Sequence, residues 1–549
     1  MPKITIDGQQ FEFEGKKMIL QVAQDNGAAI PHYCYHPGLS IVASCRICLA
    51  EVAQANPKTA AVEMIPKLMP TCQTPAADGM VVHTNSPKSL ANQKAVMEYL
   101  LINHPLDCPV CDQAGECYLQ DYSYQYGRAG SRFEEMKIKQ PTKDIGPHVK
   151  LYSDRCIMCS RCVRFTREVT GTSELGVFGR GNREQIDVFP GKPLDNELSG
   201  NVVDICPVGA LLDKDFLFSQ RVWFLSKTPS IDGITASGDN IFLEWNEGRM
   251  YRIKPRTNHS VNKWWISDEI RYGWKFVHSE DRLGTPRRMQ YGTQVECEWK
   301  RAYQDAVEGL RKVATEKGAG AIALLVSPML SCEEAYLLAK FVRELDAAAV
   351  LGVGPIPRQG EDKEFPGGYK VYAEKCPNAR GVRRALELVA GDGNAQQVLA
   401  YEDFVKKLSD KATKVGAVVV TGNYPSKWTT KESTAATSRK FVVLIDTLPN
   451  DLSPKADVIL PGATWAEKAG TFENAGGLLQ TFQQAIPVSE LAKSEGQIAL
   501  DLHAVATQSG ARRYDAAEVR AAMGGVFASD VQHPVSHGAE TLDMEYVEL

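Results

Sequence analysis

The chain has 549 residues, 44% of them hydrophobic, with a formal net charge of −5 and a pI near 6.1. That length and apolar share suit several globular domains with real cores, and the acidic balance argues against a nucleic-acid groove. No apolar run reaches the roughly 18 residues of a membrane span, and the start, MPKITIDGQQFEFEG, has neither a signal-peptide apolar stretch nor an Arg-rich transit pattern. The expectation is a cytosolic protein or one docked on a membrane partner.

In chain order, Lys3–Ile6 and Gln10–Glu14 alternate apolar and polar residues around Asp7-Gly8, which predicts a β-hairpin. Met18–Asn26 predicts a short helix ended at Gly27. Strand, turn, strand, helix and then a cysteine loop is how a ferredoxin-like domain begins. Ser86–Asn103 predicts a helix, with Leu90, Val96, Met97, Leu100 and Leu101 near helical spacing. Two cysteine-rich loop regions follow, separated by the polar stretch Arg132–Lys143. After Phe216 cysteine nearly vanishes. From Arg301 onward helical patterns alternate with β-branched runs at Ala321–Val326, Ala348–Val353, Val415–Thr421 and Lys440–Ile445. That alternation predicts a parallel sheet with helices on its faces. The longest apolar run, around Ala319–Val326, is expected to be a buried strand.

Eleven of the fourteen cysteines lie between Cys34 and Cys206. Disulfide frameworks belong to short exported chains, so this clustering points to metal. The first set is Cys34, Cys45, Cys48 and Cys72. Four thiolates can hold a [2Fe–2S] cluster, although the spacing is not that of plant ferredoxins. Zinc also accepts four cysteines; the preceding hairpin and helix favour the cluster. The Gly38–Ser44 lead-in suits a loop whose backbone amides turn toward sulfur.

The second set is His104, Cys108, Cys111 and Cys117. A lone histidine is normally a surface or hydrogen-bonded residue. Here the three cysteines lack a fourth nearby, and His104 ends the helix that delivers the loop. Three thiolates and an imidazole can complete a [4Fe–4S] cube, and a neutral imidazole in place of a thiolate eases reduction. The same donors suit zinc. The third set, Cys156, Cys159, Cys162 and Cys206-Pro207, is the strongest signal: three cysteines two residues apart wrap three corners of a cube, and a distant Cys-Pro closes the fourth. Cys297, Cys332 and Cys376 lack ligand spacing and read as ordinary thiols. His32 and His36, flanking Cys34, read as supporting or surface residues.

At these residues the chain becomes recognisable. Asn103–Cys117 (NHPLDCPVCDQAGEC), Asp154–Phe165 (DRCIMCSRCVRF) and Phe178–Asn182 (FGRGN) resemble the large iron–sulfur subunit, the G subunit, of proton-pumping NADH:quinone oxidoreductase, respiratory complex I. The resemblance covers Met1 to about Arg288, with all eleven clustered cysteines and His104 at family positions. Beyond Val222, Pro255–Asn262 and Trp264–Tyr272 resemble the first subdomain of the molybdopterin-oxidoreductase fold, and Ala456–Gly477 a later part of it; the intervening region is shorter than usual. Catalytic relatives hold a cluster there with four cysteines. This chain has none from Val222 to Gln290, and Ser267 stands where the last ligand would sit.

The resemblance implies a multidomain α+β and α/β chain. Residues 1–80 form a ferredoxin-like β-grasp domain for one [2Fe–2S] cluster. Residues 81–145 and 146–220 carry one [4Fe–4S] cluster each. Residues 221–285 form a first subdomain without cluster, and 286–549 a shortened α/β scaffold. It implies no molybdopterin, and NADH and FMN on a partner subunit. Implied partners are that subunit, a thioredoxin-like [2Fe–2S] subunit and membrane-proximal hydrophilic subunits, with indirect membrane association on the cytoplasmic side and no nucleic acid. The implied electron order runs from a partner cluster to the Cys34 set, the Cys156 set, the His104 set and a membrane-proximal partner. No complete catalytic site is expected on the chain: Gly352–Pro357 begins like a nucleotide loop, but its prolines predict a turn, and Glu134-Glu135 and Asp213/Asp215 read as solvated faces. Competing readings are a diaphorase subunit of a soluble hydrogenase or formate dehydrogenase, an active molybdenum enzyme, and a zinc-stapled interaction protein.

Overall fold

Asp7 and Gly8 both take positive φ, 49° and 88°, which matches the twist of a two-residue hairpin and joins strands Lys3–Ile6 and Gln9–Glu12. The computed structural model describes residues 1–55, 61–391 and 398–534. The first strand pairs in parallel with Met80–His83, which pairs in turn with Leu49–Ala55. Helix Ile19–Asp25 buries Ile19, Leu20, Val22 and Ala23 against this sheet and ends at Gly27, φ 72°. This is the expected β-grasp. Helix Pro87–Leu101 begins with Ser86 accepting from the Ser89 amide and buries Val96 and Met97, whereas Leu90 faces outward.

The next layer is mostly loop. A small sheet of Leu211–Asp213, Val149–Tyr152 and Thr142–Asp144, with the short helix Arg161–Glu168, forms its floor. The antiparallel sheet Ser226–Ile231, Asn240–Asn246 and Arg249–Pro255 follows. It is pinned back on the first domain by Trp264 and Trp265, which pack under Gly38, while His36 stacks on Trp265 at 5.4 Å. Ser267 accepts from the Ile270 amide and caps helix Asp268–Tyr272.

All four β-branched runs become parallel neighbours: Ile322–Val326, Val350–Val353, Ala417–Thr421 and Phe441–Asp446. Val398–Leu399 and Val458–Pro461 extend the parallel sheet, and Arg287–Gln290 and Thr293–Glu296 add an antiparallel edge. Chain order runs outward in both directions from Ile322–Val326, so direction switches between that strand and Ala417–Thr421. Such a switch point is where doubly wound folds bind ligands. Here the chain's own side chains fill the crevice. Tyr424 is buried and donates to the Pro355 carbonyl at 2.7 Å; Lys468 sits between Glu334 and Glu495 at 3.0 and 2.6 Å. The sequence predicts a turn at Gly352–Pro357. Instead Gly352 lies within strand Val350–Val353, where a Cβ would meet the Phe404 ring at 2.4 Å. A glycine required by strand–helix packing thus imitated a loop glycine. Asp213, read as solvated, is half-buried, and burial raises its carboxyl pKa.

Candidate cluster sites and the loops that build them

The Cys34 set draws on three segments: the loop after the first helix, the Ser44–Cys48 turn and the approach to Met80. Ala43 and Arg46 take positive φ, 50° and 61°. These left-handed residues turn successive amides inward, a concavity suited to anionic sulfur. The Cys34 thiol accordingly receives hydrogen bonds from Cys45, first from its thiol and then its amide, and from Ser44. Its pKa falls to about 5 while that of Cys45 rises, because the two share a proton. Cys48 and Cys72 repeat the arrangement, with Cys48 lowered to about 7 by the Cys72 thiol. Cys34, Cys48 and Cys72 are buried and Cys45 is partly so.

The Cys156 set is built the same way. Met158 and Ser160 have φ of 52° and 58°, and the Met158 amide donates to the Cys156 sulfur at 3.4 Å. Cys206 arrives from the end of helix Asn201–Ile205. The four thiols line one pocket with Leu151, Ile157, Ile186, Val208, Ala210 and Leu211. Burial there raises the pKa of all four, Cys206 to about 11. Neutral thiols are favoured until a cation enters and takes the protons' place.

The His104 set is looser. Cys111 and Cys117 are buried, whereas Cys108 is exposed. Burial raises Cys117 to about 12. His104 is lowered to about 4, first by burial and then by Arg155 and Lys137, so its imidazole is neutral at physiological pH. Its Nδ1 is buried with no hydrogen-bond partner. A neutral imidazole with a buried, unpartnered ring nitrogen, four residues before Cys108, is suited to ligate a metal. The donor chemistry of all three sets therefore fits iron–sulfur clusters.

The sets share backbone. Cys206 belongs to the third; the next residue, Pro207, offers its carbonyl to Cys117 Sγ at 4.0 Å and to the Tyr118 amide at 3.1 Å. A Cβ on Gly209 would stand 2.2 Å from Cys111 Sγ. Residues 206–209 thus join the two sets. Three arginines of the Asp154–Phe165 run pack among the loops. Arg155 pairs with Asp107 at 3.0 Å. Arg161 and Arg164 bind carbonyls on both sides of the first and third sets. Sequence reasoning assigned that run's chemistry to its cysteines alone. The available signal was cations interleaved with thiols, since buried arginine needs negative charge nearby. Glu116 was also missed: it binds Arg252 at 2.8 Å and Lys254 at 2.9 Å and so ties the His104 loop to the 221–285 sheet.

Family models match these same segments: "2Fe-2S iron-sulfur cluster binding domain" over residues 2–87, "NADH-ubiquinone oxidoreductase-G iron-sulfur binding region" over 93–132, and "NADH-quinone oxidoreductase subunit 3, ferredoxin-like domain" over 146–212. Relatives include the mitochondrial NADH-ubiquinone oxidoreductase 78 kDa subunit of Neurospora crassa, 32% identical over 93% of this chain and 81% of that one. The chain belongs to the G-subunit family of NADH-quinone oxidoreductase. The G subunit of the Rickettsia felis NADH-quinone oxidoreductase is 38% identical over 63% of this chain and 49% of its own length. The 75 kDa NADH-ubiquinone oxidoreductase subunit of Reclinomonas americana is 38% identical over 64% and 49%. The chain thus spans about half the length of several curated relatives it matches. Among solved structures, an NAD+-reducing [NiFe]-hydrogenase is 28% identical, with a TM-score of 0.35 over 40% of this chain and 91% of that one. Acetylene hydratase from Pelobacter acetylenicus is 9% identical, with a TM-score of 0.38 over 51% and 69%.

Two further family models extend past the cysteine-rich part. Residues 368–505 match "Molybdopterin oxidoreductase", in line with the doubly wound sheet. Residues 225–275 match the 4Fe-4S domain of the NDSU1/NuoG-like family, yet contain no cysteine. With Ser267 used as a helix cap, the residues of that segment do not fit a cluster.

Proposed function

We propose that this chain relays single electrons within the peripheral arm of an NADH:quinone oxidoreductase. Cys34, Cys45, Cys48 and Cys72 would hold one [2Fe–2S] cluster. His104, Cys108, Cys111 and Cys117, and Cys156, Cys159, Cys162 and Cys206, would each hold a [4Fe–4S] cluster. The clusters, when bound, supply one-electron redox chemistry. The protein's part is to hold the sulfurs, exclude water and fix the spacing. The observation that carries this reading is the shared backbone: arginines of one helix span the first and third sets, and residues 206–209 span the third and second. That continuity supports an order from the Cys34 set through the Cys156 set to the His104 set.

The exit follows from exposure. Cys108 is the one exposed cysteine among the eleven, and Leu106, Val110, Phe218, Trp223 and Phe224 are exposed in the same region. Apolar patches of this kind mark protein interfaces, in keeping with a membrane-proximal hydrophilic subunit there. An NADH- and FMN-binding subunit and a thioredoxin-like [2Fe–2S] subunit would supply electrons on the other side. No helix among the described residues is long and apolar enough to cross a membrane, so association through partners is proposed. The cysteine-free segment 221–285 and the filled switch-point crevice support a scaffold role for 221–549, with no pterin. Domain boundaries at 80, 145, 220 and 285 are part of the proposal.

Low-temperature EPR of anaerobically purified, dithionite-reduced protein tests it. One binuclear and two tetranuclear signals are expected, and His104→Ala should remove or alter one tetranuclear signal alone. Colourless, iron-free protein would end the reading; three unchanged spectra in the variant would remove His104 as a ligand.

A further inference from the structure

Helix Arg161–Glu168 carries arginines at 161, 164 and 167. Arg167 is exposed and pairs with Glu168. The other two are turned inward, at 4% and 3% exposure. A buried guanidinium normally meets a carboxylate, yet among the described residues neither has one within ion-pair distance. Their partners are carbonyl and hydroxyl oxygens. Arg164 donates to Cys34 O and Ser40 O in the first set's loop, and to Cys159 O at 3.3 Å in the third's. It also donates to Ser160 Oγ at 3.3 Å. Arg161 donates to Tyr35 O at 2.6 Å, next to Cys34, and to Ile205 O at 3.1 Å, next to Cys206. Each cation therefore bridges the same two cysteine cages, and Glu168, the carboxylate that acts on Arg164 at longer range, is itself bonded to Ser40 and Arg167.

We infer that the missing counter-charge is the pair of thiolate cages themselves: Arg161 and Arg164 are positioning residues that share their charge between the Cys34–Cys72 and Cys156–Cys206 centres. This rests on the proposed relay. Four thiolates outweigh the positive charge of the iron and sulfide they hold, so a loaded cage is anionic. An electron arriving in either cage adds one more negative charge, and a fixed guanidinium in low dielectric stabilises it. Because one guanidinium touches both loops, it biases both midpoints together and holds the two loops in register. Arginine suits this because its planar fork reaches several acceptors while remaining charged.

The test is EPR-monitored redox titration of the full chain carrying Arg164→Gln, with Arg167→Gln as control. Both the [2Fe–2S] midpoint and the midpoint of the Cys156-set centre should fall. Reduction is expected to become at least tenfold harder, about 59 mV for a one-electron couple, while the His104-set midpoint moves least. Should the Gln variant not load clusters, Arg164→Lys decides. The same Nη2 serves Cys34 O and Cys159 O, and a single ammonium on a shorter stem gives up that shared reach, so both midpoints should fall together. Midpoints equal to the control in whichever variant loads, or a Gln variant in which one centre alone shifts, overturns the inference. Absence of all three signals in the unsubstituted protein defeats the relay reading instead.

Discussion

Replacing Arg252 by Met is expected to unlatch the cysteine-rich half from the scaffold. Arg252 donates two hydrogen bonds to Glu116, at 2.9 and 2.8 Å, and one to Glu244. The guanidinium also lies over Phe216, 4.4 Å from the ring centroid, a cation–π contact that Met replaces with a weaker thioether–ring contact. Without the guanidinium, Glu116 retains Lys254 at 2.9 Å. Glu244 fares worse. Its side chain is 1% exposed, and its remaining cation, Lys227, is 3.7 Å away and 46% exposed, a pairing worth less than about 1 kcal/mol. Breaking a buried pair from one side costs about 3–5 kcal/mol, and that range is expected here, chiefly from Glu244. The assay is chemical unfolding followed by fluorescence, compared with the double variant Arg252→Met/Glu244→Gln, which should recover most of the loss. Glu116 also precedes Cys117, so the His104-set EPR signal should broaden more than the [2Fe–2S] signal. A loss below about 1 kcal/mol, or a double variant no better than the single one, would refute the argument that an uncompensated buried carboxylate dominates.

Gly209→Ala places a methyl 2.2 Å from Cys111 Sγ; the His104-set signal should disappear or shift while the [2Fe–2S] signal persists, and three intact signals would show that the Cys111 loop yields. Asp239 is buried, and its pKa is raised to about 8 by burial and then by Asp232. Between the unfolded value of 3.8 and about 8 the folded state holds a proton that the unfolded state lacks. Stability should therefore decline as pH rises through that window, by at most about 1.4 kcal/mol per unit, and level off above it. Asp239→Asn should flatten the slope of denaturation midpoint against pH between 6 and ~8; an unchanged slope assigns it to other groups.

Much of this protein is legible locally. The Asp7-Gly8 hairpin, the Ser86-capped helix and the parallel strands announce themselves by period and turn chemistry, because each depends on neighbours a few residues away. The proposed grouping of thiols into sets rests on equally local information, the two-residue spacing of Cys156, Cys159 and Cys162. What the sequence could not decide is how the sets meet. Arg164 reaches Cys34 across 130 positions, and Arg252 reaches Glu116 across 136; no periodicity spans such distances. Gly352 read as a loop glycine because its reason, the Phe404 ring, lies on a distant helix. The same holds for the switch-point crevice, which Lys468, Glu334 and Glu495 fill from three separate segments. Local hydrogen bonding sets the elements; only tertiary packing decides which buried charges find partners, because desolvation penalises every charge that does not.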